Sequence, residues 1–429
     1  MIPAVVLQLA LAQEVAPEKE AAAGGAAWYV APDGNDLSAG TIDRPFQSLA
    51  RAQQAVKPGG IVLLRGGTYR LRESDIASSQ GIFARIIVLD KSGTEGRPIR
   101  YRAMPGEIPI LDCSEVKPAG QRVSALYVSG SWLEIAGIEI TGVQVTMTGH
   151  TQSICVESQG SHNRFERLSL HDGQAIGVYH VRGKDNLFLD CDAWNNWDHT
   201  SEGGRGGSVD GFGCHPTKGS TGNVFRGCRA WFNSDDGYDC INAHESVTFE
   251  NCWATYSGLS KEGKNLADGN GFKIGGFGSL DASRLPDPMP RHVVRGCIAS
   301  RNKASGFYAN HHPGGHDWLD NRAYRNGTNF NMLCRLADNR TDIDGFGHKL
   351  AGNLGHGTKR DLVNIDLAEC QLSGNSFNLG LPFTDQDFES LDVDELLTPR
   401  QQDGSLPQAR FMQPVPRSEL AKRLQESKP

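Results

Sequence analysis

Apolar residues along this chain come in runs of three to five, broken every few positions by Gly, Asn or Asp, with no sustained helical period. Such short runs between turn residues predict short strands rather than helices. Five of them align without gaps: NLFLDCDAWNN from Asn186, NVFRGCRAWFN from Asn223, VTFENCWATYS from Val247, HVVRGCIASRN from His292 and DWLDNRAYRN from Asp317. One column holds Cys191, Cys228, Cys252, Cys297 and Asn321, at intervals of 37, 24, 45 and 24 residues. Two residues on stand Ala193, Ala230, Ala254, Ala299 and Ala323, and five on stand Asn196, Asn233, Ser257, Asn302 and Asn326. Weaker copies place the first column at Gly137, Leu168, His348 and Cys370, the last with Asn375 five on.

A repeat of this length, β-rich and with variable insertions, is a stacked solenoid. Short strands divided by turns select an all-β, single-domain, right-handed parallel β-helix. Each inward residue then stacks on its counterpart one coil away. An Asn column at a bend can bond backbone and the next Asn, and a Cys column fills a narrow core as small apolar side chains. The column cysteines Cys191, Cys228, Cys252 and Cys297 are therefore expected reduced and buried, and no C-x-x-C spacing suggests a metal cluster. Ser48 followed by LARAQQAV and Lys57-Pro58-Gly59-Gly60 reads as a short helix capping the N-terminal end. The repeat fades near Phe383, so residues 384–429, with a short helix near Arg417–Gln425, are expected to wrap back along the solenoid. The apolar run at 2–12 and the Ala-rich stretch to Ala27 read as a secretory signal peptide and linker, which leaves 28–383 as the solenoid domain with its N-terminal cap.

A second motif precedes these segments. It runs Ile176-Gly-Val-Tyr179, Asp210-Gly-Phe-Gly213, Asp236-Gly-Tyr-Asp239, Asn270-Gly-Phe-Lys273 and Ser305-Gly-Phe-Tyr308, with Thr328-Asn-Phe-Asn331 as a sixth copy. Here the glycine is expected to permit a sharp bend and the aromatic to point inward, which leaves the flanking positions outside. Asp210 and Asp236 then share one column on neighbouring coils, Asp239 and Lys273 share another, and Asp235 sits at the same bend. Strands about 4.8 Å apart make these side chains neighbours. Like charges on adjacent strands destabilise, so four carboxylates on one patch call for a cation. All-oxygen ligation on flexible bends suits Ca²⁺. A solvated acidic face would explain scattered Asp, but not Asp stacked on Asp.

Net charge is −7, with 43 Lys and Arg against 50 Asp and Glu, which argues against nucleic acid and anionic membrane as partners. A polyanionic ligand would need local cations, and Arg205, Lys218, Lys303, Tyr308, His311 and Arg335, with His312 and Asn331, fall near the carboxylate coils.

The stretches WYVAPDGND from Trp28, RPFQSLARAQQAVKPGG, LLRGGTYR, VDGFGCH from Val209, NSDDGYDC from Asn233, DGNGFKIGG from Asp268 and DGSLP at Asp403–Pro407 together resemble polysaccharide lyase family 9, the calcium-dependent pectate lyases and their relatives. The resemblance implies that Asp210, Asp235, Asp236 and Asp239 bind Ca²⁺ and that Lys273 is the base. It implies β-elimination on a galacturonate-containing polymer: Lys273 removes the C5 proton, and calcium neutralises the adjacent carboxylate. Homogalacturonan is the expected backbone and rhamnogalacturonan the alternative. The rival readings are a β-helix glycoside hydrolase, whose paired acids would work differently, and a carbohydrate-binding solenoid without turnover, which would leave Lys273 unexplained; for Lys273 alone the plainer reading is a surface salt bridge to Asp239. The expected enzyme is a secreted monomer.

Overall fold

The computed structural model describes residues 26–277, 285–336, 338 and 340–426. The expected signal peptide lies almost wholly outside the described residues. Three long sheets of 12, 10 and 11 strands, parallel but for the terminal strand Ser78–Gln80 of the third, are joined coil by coil into the right-handed β-helix expected of such connections. None of the described helices is long and apolar enough to cross a membrane.

One coil shows the construction. The strand Leu187–Leu189 lies in the first sheet, Asp192–Trp194 in the second and Phe212–Cys214 in the third. The corner between the first two sheets holds a residue in the left-handed region: Asp190 at φ 52°, Gly227 at 63°, Asn251 at 53° and Gly296 at 63° on successive coils. Asp, Asn and Gly tolerate that conformation, which is why the corner could be seen in the sequence. Between the second and third sheets the loop length varies, and two long insertions, 197–209 and 258–268, fall there.

Inward columns stack ring on ring. Phe165, Phe188, Phe225 and Phe249 follow one another at 4.7, 4.4 and 5.4 Å, and Phe212, Tyr238, Phe272, Phe307 and Phe330 at 5.1, 4.5, 5.0 and 5.0 Å. The alanine column pairs as aligned, from Ala193 to Ala323. All ten cysteines are free, nine of them buried. The helix Leu49–Ala55, capped by the Ser48 hydroxyl, closes the N-terminal end.

Two details of the alignment change. The cysteine column continues through Asn321, Asn353 and Asn375, whose side-chain oxygens each accept the backbone N–H one coil back, and not through His348 and Cys370. The glycines of the second motif have ordinary φ; a Cβ on Gly237 would lie 2.6 Å from the Gly271 carbonyl oxygen and 2.9 Å from Ala254 Cβ. Their role is close approach of neighbouring coils rather than a bend.

His348 instead ends a different ladder. Asn186 Oδ1 accepts from Asn163 N, and Asn223 Oδ1 from Asn186 N. After Val247 the acceptor becomes an imidazole nitrogen: Val247 N donates to His292 Nδ1, His292 N to His316 Nδ1, and His316 N to His348 Nδ1, at 3.1, 3.4 and 3.0 Å. All three rings are buried and must be neutral to accept. The residues after Phe383 pack on the second sheet. Phe388, Leu396, Phe411 and Leu420 cover Trp253, Ile298 and Tyr324, and Arg400 forms ion pairs with Asp192 at 2.6 Å and Asp190 at 3.4 Å. The terminal helix is Glu419–Glu426.

Burial holds His292 and His316 well below the usual imidazole pKa and His348 down to about 3. An unfolded histidine titrates near ~6.5, so the stability these rings contribute is intact above that pH and is lost as pH falls toward the folded values. His316→Asn keeps an oxygen acceptor in the ladder but removes one such proton. Its unfolding free energy from urea titration should fall less steeply below pH 6.5 than that of the natural chain, by up to ~1.4 kcal/mol per pH unit. Parallel curves for the two proteins would remove the ladder as a source of acid lability.

Candidate active site

Asp210, Asp236 and Asn270 occupy one outward column of the third sheet and are bound by a ladder like that of the asparagines but running the other way, each side chain accepting from the following coil. Asp236 N donates to Asp210 Oδ1 at 3.1 Å, and Asn270 N to Asp236 Oδ1 at 2.6 Å. The Asn270 amide also donates to Asp236 Oδ1, and its own Oδ1 accepts from Ser305 N. One oxygen of Asp236 is thereby fixed by backbone, while Oδ2 is fully buried and accepts no hydrogen bond of sound geometry. The next outward column pairs Gly213, Asp239, Lys273, Tyr308 and Asn331 in register. Asp239 Oδ1 accepts from Ile241 N, which leaves its Oδ2 toward Lys273.

The four aspartates are at most 7% exposed. Carboxylate oxygens of Asp210, Asp236 and Asp239 lie within 4.8 Å of one another, and those of Asp235, Asp236 and Asp268 form a second set. Asp236 is therefore the shared member. Both oxygens of Asp235 accept backbone N–H groups, from Ser208 at 2.6 Å and Asp268 at 2.9 Å, so it also ties the two long insertions together. Lys273 Nζ stands 3.0 Å from Asp236 Oδ2, 3.2 Å from Asp239 Oδ2 and 3.8 Å from Asp268 Oδ2. Asp268, within a stretch quoted above for its family resemblance, had no role assigned from sequence, because it lies on an insertion rather than in a strand column.

The electrostatics are unbalanced. Burial raises the Asp210 carboxyl far above its ordinary range, and Asp239, Asp235 and Asp236 push it further. Burial and then Asp236 bring Asp235 up to about 8. Burial likewise raises Asp236 against the pull of Lys273. For Lys273 burial works downward, yet Asp236, Asp239, Asp235 and Asp210 outweigh it and its pKa is raised. One ammonium cannot balance this many buried carboxylates. The all-oxygen donor set, the unbonded Asp236 Oδ2 and the excess negative charge fit a hard divalent cation.

The other cation candidates divide. Tyr308 stands beside Lys273, its hydroxyl 3.2 Å from His311 Nδ1. Arg335 Nη2 donates to His311 Nε2 at 3.0 Å and its Nε to Asp342 Oδ1 at 2.7 Å, so these three form one network with Asp342. Lys303 is turned away and donates to the carbonyls of Leu266 and Ala267. Arg205 and Lys218 are exposed on loops either side of the Asp210 strand. His312 faces inward, 1% exposed, accepting from Gly276 N and hydrogen-bonded to the Pro290 carbonyl through Nε2. Tyr179, in register with Gly213 and 5.0 Å from the His215 ring, flanks the centre on the other side. Its place in the x-Gly-aromatic-x pattern was the available signal.

Residues 28–349 match the family model described as Pel9A-like, right handed beta helix region. A "Pectate lyase L" of Dickeya dadantii is 30% identical over 402 residues, covering 92% of this chain and 84% of that protein. A solved structure titled "Rhamnogalacturonan lyase" is 40% identical with a TM-score of 0.89, covering 94% of this chain and 99% of that one. The crystal structure of pectate lyase Pel9A is 28% identical with a TM-score of 0.71, over 92% and 90%.

Asp236 belongs to both carboxylate sets, so Asp236→Ala should lose calcium binding or weaken it at least ~100-fold, more than ~2.7 kcal/mol, when titrated calorimetrically. Unchanged affinity in a folded variant would rule out this centre as the metal site.

Proposed function

The chain belongs to the Pel9A-like right-handed β-helix family of polysaccharide lyases, and from that premise we propose that it cleaves a galacturonate-containing pectic polysaccharide by calcium-dependent β-elimination. The observation that carries this reading is Lys273, set one coil beyond Asp239 and within 3.2 Å of two buried carboxylates. Asp210, Asp236 and Asp239 would hold the cation, with Asp235 supporting from the adjoining set. A bound divalent cation would offset the charge of these aspartates and of the uronate carboxylate, and so ease loss of the proton next to it.

Lys273 supplies the base. Its neutral amine takes the C5 proton, the C5–H electron pair becomes the C4–C5 double bond, and the C4–O bond breaks. The departing oxygen takes a proton from solvent. The carboxylates alone hold Lys273 charged. Once they are neutralised, only burial remains among the main influences, and burial favours the uncharged amine. Activity should therefore need the metal and rise toward alkaline pH. Tyr308 and the His311–Arg335 pair lie one to two coils on and are placed to orient the polymer.

The similarity to a rhamnogalacturonan lyase at 40% identity favours rhamnogalacturonan over homogalacturonan as the backbone. A polymeric substrate of this kind is met outside the cell, so the reading carries secretion with it.

Polygalacturonate, methylated pectin and rhamnogalacturonan should be screened for the ultraviolet absorbance of unsaturated uronate ends, with and without chelator. The expected result is chelator-sensitive product from one of them. Lys273→Ala should keep its fold and lose roughly 10²–10⁴-fold in rate, and Lys273→Arg should be nearly as poor at neutral pH because guanidinium holds its proton. Reducing ends without the chromophore would indicate a hydrolase instead, and near-normal turnover by Lys273→Ala would dismiss it as the base.

A further inference from the structure

The two outward columns that build the acid–base centre continue toward the N-terminus. The Lys273 column runs back through Asp239, Gly213, Tyr179 and Glu157 to Tyr127. The Asp210 column runs back through Ile176, Ile154 and Ser124 to Arg85. At their far end the hairpin of Ser78–Gln80 and Phe83–Leu89 closes the sheet, and Phe83 pairs with Arg122.

This end carries a combination that the fold does not require. Ile82 and Phe83 are 42% and 37% exposed, among the few large apolar side chains left open in the described residues. The Arg85 guanidinium lies 3.8 Å over the Tyr127 ring and 5.9 Å from that of Phe83; Arg122 lies 5.9 Å from the same Phe83 ring on its other contact. The Nε of both arginines is buried and donates to nothing. Arg335, at the opposite end of the track, is by contrast already paired with Asp342. Two guanidinium groups without carboxylates, held by aromatic rings on a face otherwise rich in Asp, suit an anion with an apolar neighbour.

We propose that Ile82, Phe83, Arg85, Arg122 and Tyr127 form a remote subsite on the same track, where the arginines grip a uronate carboxylate and the apolar side chains take an adjoining 6-deoxyhexose. It rests on the polysaccharide reading above for the identity of the polymer. Five coils separate Tyr127 from Lys273, about 24 Å at ~4.8 Å per coil. A pyranose unit advances a chain by a similar length, so a polymer lying along the columns reaches the subsite only when it extends several sugars past the scissile bond. The enzyme would then act within long chains, and an alternating uronate and deoxyhexose backbone would fit both halves of the subsite, whereas a uniform uronate chain would fit only the cationic half.

Affinity electrophoresis through gels containing rhamnogalacturonan or polygalacturonate, run with chelator, tests this without cleavage. The natural chain should be retarded, most in rhamnogalacturonan. Arg85→Gln/Arg122→Gln, with an unchanged thermal midpoint, should run as in an empty gel. Ile82→Ser, at an exposed position, should reduce retardation in rhamnogalacturonan alone. With calcium restored, the double variant should lose about tenfold in kcat/KM on the polymer and less than about twofold on a tetrasaccharide too short to span the track. Equal retardation of natural chain and double variant, no retardation of the natural chain, or equal losses on both substrates would overturn the subsite. Retardation that depends on the arginines in a protein that cleaves no substrate would uphold the subsite and overturn the lyase reading.

Discussion

Coil stacks on coil in register at about 4.8 Å, and everything else in this molecule follows from meeting that spacing with side chains. A parallel solenoid leaves corner N–H groups that no strand partner satisfies, and buried donors must be bonded. The chain answers with one device: a side-chain acceptor receives the backbone N–H of a neighbouring coil. Asn302 and Asn326 do it at one corner, and Asn321, Asn353 and Asn375 at another. His292, His316 and His348 do it with ring nitrogen. Asp210, Asp236 and Asn270 do it in the opposite sense at the candidate site, each accepting the N–H of the following coil.

The proposed catalytic constellation is therefore a variant of a structural ladder. Placing Asp where other columns hold Asn keeps the Oδ1 acceptor and adds a charged Oδ2 that has no structural use. Each replacement costs stability through burial and repulsion, as the raised carboxyl pKa values of Asp210 and Asp236 record. Lys273 offsets part of that cost in the adjacent column, and a cation would offset the remainder. Rigid placement comes with the ladder at no further expense, since the backbone of the next coil fixes the carboxylate.

Much of this was legible because the columns repeat. Aligned Cys, Ala and Asn positions exposed the coil, and the register put Asp239 beside Lys273 before any coordinates. Errors arose where the repeat is not the cause of a residue. His348 and Cys370 looked like column members because they precede strands, yet the true members Asn353 and Asn375 lie five residues on, at the next corner. The motif glycines looked like bends, although the constraint on them is the carbonyl of the neighbouring coil. Asp268 and the pinning of Lys303 depend on insertion loops, whose paths no column specifies.

Those insertions show how function is added to a periodic scaffold without breaking it. A longer loop inside a strand would disturb the register of every later coil, whereas one at the corner before the third sheet displaces nothing. The insertions 197–209 and 258–268 occupy that corner, on consecutive sides of Asp235. Asp235 accepts one backbone N–H from each, so the carboxylate nearest the corner fixes the rim as well as contributing charge. Asp268 and Lys303, the first reaching Lys273 and the second holding the Leu266 and Ala267 carbonyls, anchor the second loop at its end. The centre thus takes its precision from the repeat and its walls from the departures, and the two meet at the one residue that belongs to both.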